Sequence, residues 1–120
     1  MHELSLVSSI VESVTESLEA YPGARVLEVR LNVGVLAAVV EDALQFCYGL
    51  ASEGTALEGS KLVVKSLPVV MHCVPCGQEV ELEGVRSFRC PRCDQPCSDL
   101  RQGRELQIDS IEIDEIEVKP

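Results

Sequence analysis

The sequence predicts an α/β fold: two helices on a small three-stranded sheet, with a cysteine-bearing module inserted between two of the strands. Three observations carry this. Two segments repeat apolar residues at helical spacing, and three others alternate or run apolar as strands do. Two C-x-x-C pairs then sit together between the second and third of those strands.

The first helix is expected over residues 3 to 20. Val7, Ile10, Val11, Val14 and Leu18 recur at helical intervals, with Ser8, Ser9, Glu12, Glu16 and Glu19 on other faces. Pro22-Gly23 stops it. Residues 25 to 33 alternate, with Leu27, Val29, Leu31 and Val33 on one side and Glu28, Arg30, Asn32 and Val26 on the other. That is a half-buried strand, and Gly34 breaks it. The second helix is expected from about 39 to 53, burying Val40, Ala43, Leu44, Cys47 and Leu50. Lys61 to Val70 reads as the second strand, with Leu62, Val64 and Leu67 inward. Pro68 makes it an edge strand or ends its regular pairing. Glu79 to Leu82 alternates and pairs, on this reading, with Arg86 to Arg89 as a short hairpin. Leu106 to Val118 is the third strand. Its apolar parity shifts from Leu106 and Ile108 to Ile111 and Ile113, which requires a bulge or bend near Asp109-Ser110. The first domain is therefore discontinuous, residues 1-70 and 106-120, with residues 71-105 as the insertion.

The insertion is organised by Cys73, Cys76, Cys90 and Cys93: CVPC, thirteen residues, then CPRC. Each pair makes a tight turn that points two thiolates at one spot, and two such turns close a tetrahedral four-cysteine zinc site. The insertion is thus a zinc-ribbon-like module. A pair of redox dithiols or a disulfide framework is the alternative. A redox C-x-x-C usually stands alone beside a βαβ pattern, and a secreted scaffold follows an export signal; neither context is found here. His72 is an alternative ligand beside Cys73, but four cysteines already suffice. Cys97 is a spare thiol near the site, and Cys47 is most simply core.

Composition narrows the function. The chain has 120 residues, 46% hydrophobic, with two Phe, two Tyr and no Trp, so its core is aliphatic. The formal charge is −10, which disfavours nonspecific nucleic-acid binding. No apolar run reaches the ~18 residues of a membrane span. MHELSLV lacks a basic n-region, so no signal peptide is expected, and a zinc-patterned cysteine set then implies a reducing cytoplasm. Five of the ten basic residues (Arg86, Arg89, Arg92, Arg101 and Arg104) fall in the insertion. A solvated face that screens an anionic zinc–thiolate centre is the plainer reading of them; a partner-contact patch is the sharper one.

Met1-His2-Glu3 has definite metal chemistry. The terminal amine, the His2 amide nitrogen and the His2 imidazole can chelate one ion through fused rings, and the Glu3 amide is near enough to be a fourth donor. Four planar nitrogens suit Ni(II) or Cu(II). Amide ligation removes N–H protons that a helix start leaves without partners anyway. On three residues alone, a frayed terminus with a solvated His2 is the simpler reading.

The segments MHELSL, VLEVRLNVGVL, EDALQFCY, EGTALEGSKL, the two C-x-x-C pairs and GRELQIDSIEI resemble, in this order and over essentially the whole chain, the HypA/HybF nickel metallochaperones. The resemblance implies a nonenzymatic carrier that delivers Ni(II) for maturation of [NiFe]-hydrogenase, and in some organisms urease. It implies a nickel site at His2 and Glu3 with Met1 as amine donor, and structural zinc at Cys73, Cys76, Cys90 and Cys93. It also implies a HypB-type GTPase and the hydrogenase large-subunit precursor as partners. Three positions depart from the family pattern. An acid that approaches nickel in some members falls here on Val40, followed by Glu41 and Asp42; the Gly common after the second C-x-x-C is Asp94; and Cys97 is not general. A zinc-ribbon adaptor that never handles nickel uses the same cysteines and acidic surface, and a thiol-redox enzyme would use the C-x-x-C pairs themselves.

Overall fold

The computed structural model describes residues 3–82 and 88–114. Helix α1 runs Glu3–Ser17 and buries Val7, Ile10 and Val14. Near its end Thr15 Oγ1 and Ser17 Oγ donate back to the carbonyls of Val11 and Ser13. Such back-bonding competes with the regular ladder. The chain tightens there into a 3-10 turn, Leu18–Ala20, closed by Tyr21 N–H to Leu18 O at 2.9 Å.

Strand β1 follows (Arg25–Gly34), then a 3-10 turn (Val35–Ala37), helix α2 (Glu41–Ser52), and strands β2 (Lys61–Leu67) and β3 (Val69–Cys73). Strands β4 (Gln78–Leu82), β5 (Asp99–Gln102) and β6 (Leu106–Asp114) complete the described chain. One three-stranded sheet has the order β2-β1-β6, so β2 is an edge strand, and Pro68 separates it from β3 as its missing N–H requires. The second sheet has the order β4-β3-β5, with both pairings antiparallel.

Two expectations about facing are corrected. Val26 is buried and Leu27 is 48% exposed, the reverse of a strict alternation from residue 27. Val26 N–H is bonded to Ala56 O at 3.0 Å, and the pattern changes parity before Val29, Leu31 and Val33, which are buried as expected. In α2 the buried residues are Leu44, Tyr48 and Ser52, whereas Val40 and Leu50 are exposed. Tyr48 can take the inward position because its hydroxyl meets Ser60 Oγ at 2.6 Å, which satisfies the polar tip of a buried ring. The parity shift expected in the third strand is present: Ser110 and Ile111 are both half-buried in succession along β6. The expected hairpin partner of β4 falls partly outside the described residues (Arg86). Within them, β4 pairs with β3, and Arg89 bridges Pro96.

By its internal contacts the chain divides into two compact units. The first comprises Met1–Leu31, Val39–Val64 and Ile108–Pro120, and holds the packed helices α1 and α2. Its buried residues include Val7, Ile10, Val14, Val29, Leu31, Leu44, Leu57 and Leu62. The second comprises Asn32–Ala38 and Lys65–Gln107. Its core is Val69, Met71, Cys73, Val80, Leu82, Cys90 and Cys97, with Leu36, Cys76, Cys93 and Leu100 packed against it.

Candidate metal centre and the start of the first helix

The four cysteines converge because two tight turns repeat one geometry. The first is the loop of the β3–β4 hairpin, where Cys73 is in register with Gln78. Gly77 N–H returns to Cys73 O at 2.8 Å, and Gly77 has φ 66°. The second turn is framed by the Arg89–Pro96 bridge and by Cys90 N–H to Gln95 O at 2.9 Å. Asp94 N–H returns to Cys90 O, also at 2.8 Å, and Asp94 has φ 59°. The residue after each C-x-x-C is thus left-handed. Glycine adopts that conformation freely, and Asp is among the few side-chain-bearing residues that tolerate it. This is why Asp94 can stand where the first turn has Gly77. The Arg89 guanidinium further ties the second turn by donating to Asp94 O at 2.9 Å.

All four Sγ atoms lie within 4.8 Å of one another. Cys73 and Cys93 sulfurs are 3.5 Å apart, and those of Cys76 and Cys90 are 3.9 Å apart. A tetrahedral Zn–S4 centre with bonds of about 2.3 Å puts its sulfurs ~3.8 Å apart, close to these spacings. A disulfide needs about 2.05 Å, and all six cysteines are free. The donor set therefore fits a soft divalent cation such as zinc.

The electrostatics agree. The Cys76 thiol is pushed up to about 12, chiefly by hydrogen bonding with Cys93 and then Cys73. Cys93 is also raised: the Gln95 amide lowers it, but burial and the neighbouring Cys73 outweigh that. Cys90 goes the other way. Burial opposes its ionisation most, yet the Cys93 and Arg92 amides, the latter 3.4 Å from its sulfur, together bring it to about 7. Four crowded sulfurs cannot all ionise on their own; a cation bound there would supply the missing positive charge.

The other candidates separate clearly. Cys97 is buried in the core of this unit and stands outside the four-sulfur group. His72 is half-buried in mid-β3, in register with Glu79 on β4 and Asp99 on β5. Cys47 is half-buried on α2. Met1 and His2 lie outside the described residues. Glu3 is described, and it reveals a link that no side-chain pattern could announce: its carboxylate accepts the backbone N–H of Val40 at 3.3 Å. Val40 is the N-cap of α2 and offers no side-chain cap. Glu3 thus brings a carboxylate to the start of α2, where the helix dipole favours it. Glu41 and Asp42 occupy the first turn there, both exposed.

Comparison with known proteins now adds the context. The family described as "Hydrogenase/urease nickel incorporation, metallochaperone, hypA" matches residues 1–113. A hydrogenase maturation factor HypA from Chloroflexus aurantiacus is 44% identical over 112 residues, covering 93% of this chain and 98% of its own. One from Synechococcus is 39% identical over 118 residues, covering 98% and 89%. The solution structure of the Ni metallochaperone HypA from Helicobacter pylori matches with TM-score 0.65 at 20% identity, over 94% of this chain and 97% of that one. A second solution structure of a HypA protein matches with TM-score 0.70, also at 20% identity, over 94% and 96%. The structural likeness establishes a shared fold.

Proposed function

The chain belongs to the HypA family of hydrogenase/urease nickel-incorporation metallochaperones, and on that premise we propose that it carries Ni(II) at Met1, His2 and Glu3 and delivers it for [NiFe]-hydrogenase maturation. The observation that supports the reading is the convergence of the four cysteine sulfurs, which leaves the cargo to be held elsewhere. The four-cysteine group brings four sulfurs within 4.8 Å of one another, and four thiolates would fill a tetrahedral zinc site and leave no open position. Such a site retains an ion and suits structural zinc. Cargo needs a site that releases it, and the amine, amide and imidazole donors of Met1-His2-Glu3 provide one on our reading. The Glu3 carboxylate is held toward Val40 N–H, and its negative charge would favour a cation bound at the adjoining residues.

Transfer proceeds by ligand exchange. Nickel enters at the N-terminal nitrogens, docking brings it to an acceptor, and the acceptor's donors replace those of this chain one at a time. A HypB-type GTPase and the hydrogenase large-subunit precursor are the partners we assign, in the cytoplasm. The zinc module folds around its ion and presents an arginine-bearing face to a partner. Because protonated imidazole cannot ligate, affinity falls in mild acid as His2 is protonated. Nickel calorimetry on zinc-loaded protein tests the assignment. His2→Ala should abolish the tight N-terminal event and leave the zinc in place. Unchanged nickel binding in that variant would sink the assignment.

A further inference from the structure

The layer formed by α1 and α2 carries an apolar groove of about 390 Å³, lined by Leu4, Ser8, Val11 and Glu12 of α1 and Leu50 and Ala51 of α2. Leu4 is 54% exposed and Leu50 is 52% exposed. Phe46, one turn before Leu50 on α2, is 69% exposed. Residues 4, 8, 11 and 12 form one stripe of α1, so the groove follows the helix axis. Of its lining residues Glu12 alone is charged, and every charged residue of the two helices is acidic. The α1 sequence contributes Glu3, Glu12 and Glu16, the α2 sequence Glu41 and Asp42, and neither helix contains a Lys, Arg or His.

We propose that this groove is a docking surface for an amphipathic helix of a partner protein, its apolar stripe flanked by basic residues. Helix-in-groove recognition places anchors at i, i+3 or i+4 and i+7, which a groove along a helix axis accommodates. The partner's basic flanks would face the carboxylates and speed encounter. The same charge argues against other occupants. A second copy would bring acids against acids, and an anionic membrane surface would be repelled. The surface begins beside Glu3, but the inference does not depend on nickel being held there.

The test uses the full zinc-loaded chain and a fluorescein-labelled 18-residue Leu/Lys peptide with its leucines on one helical face. A control peptide has the same composition in an order that scatters the leucines. Anisotropy should show saturable binding of the first peptide only. A Phe46→Ser, Leu50→Ser double variant should weaken it by at least about tenfold, the size expected of buried anchors. Leu27→Ser, which alters an equally exposed leucine on β1, should change it by less than about twofold. Thermal melts check that both variants fold, which their exposure favours. His2→Ala should bind the peptide as the parent does, so failure of the nickel site and failure of the groove are read separately. Equal binding of the control peptide, or equal losses in the groove and Leu27 variants, would overturn the proposal. So would self-association of the parent, seen by sedimentation and abolished by the double variant, because the occupant would then be a second copy.

Discussion

Gly34 lies at the end of β1, and its N–H is bonded to Glu105 O at 2.7 Å. Two residues on, Leu36 N–H is bonded to Gly103 O at 2.8 Å. The two backbones are so close that a Cβ built on Gly34 would lie 2.1 Å from Gly103 O, 2.2 Å from its carbonyl carbon and 2.6 Å from Arg104 N. Ordinary contact begins near 3.4 Å, and none of these atoms can rotate away. Gly34→Ala must therefore push the segments apart by about 1.3 Å and strain both hydrogen bonds. Overpacking contributes about 1–3 kcal/mol and two weakened bonds about 1 kcal/mol each, for a loss of about 3–5 kcal/mol. With a urea m-value of about 2 kcal/mol/M, the midpoint drops by about 1.5–2.5 M. The same substitution at Gly49 is the internal control. There a Cβ meets nothing within 4 Å, and the residue is inside α2. Gly49→Ala should stabilise by about 1 kcal/mol, raising the midpoint by about 0.5 M. A Gly34→Ala protein within about 1 kcal/mol of the parent would refute the close-approach reasoning.

Other predictions follow from the metal centre and from Tyr48. Asp94→Val places a β-branched residue at φ 59° and should destabilise the zinc-bound module by about 1–2 kcal/mol, read as faster zinc loss to a chelator, while Asp94→Gly keeps its zinc. Removing zinc should expose four thiols to a thiol reagent and collapse the amide dispersion of the unit built around Val69, Met71, Val80 and Leu82; an apo protein with unchanged spectra would contradict this. Burial raises the Tyr48 hydroxyl above its ordinary value of 10.0, against the smaller opposing effect of Ser60. A folded pKa raised above the unfolded one stabilises fully below pH 10 and loses that contribution as pH rises through the folded value. Stability should therefore decline above pH 10, and Tyr48→Phe should flatten that decline.

Much of this was legible because it depends on side-chain type. The buried stripe Val7, Ile10 and Val14, the Pro22-Gly23 stop, the strand break at Pro68 and the parity shift at Ser110 follow from apolar spacing and backbone chemistry. The four-cysteine group followed from ligand type and turn length. What escaped depends on backbone neighbours distant in sequence. No residue pattern announces that Val40 N–H meets Glu3, since every non-proline residue carries that donor. The facing of α2 was misjudged because hydrophobicity favours Val40 and Leu50 over Tyr48, and only the Ser60 partner reverses the ranking. The left-handed Asp94 had a usable signal, since it stands where the first turn has Gly77.

The central claim is that cargo nickel binds at the N-terminal residues while the cysteine centre keeps its own ion. Titration of nickel into zinc-loaded protein, comparing the parent with a variant carrying one extra residue before Met1, tests it most directly. The parent should take up nickel with proton release and retain its zinc. On the proposed assignment the extension would move the terminal amine out of the chelate ring, so the extended variant should lose the tight nickel event while still holding zinc. Nickel binding that survives the extension, or that appears only as zinc leaves the cysteines, would contradict the account.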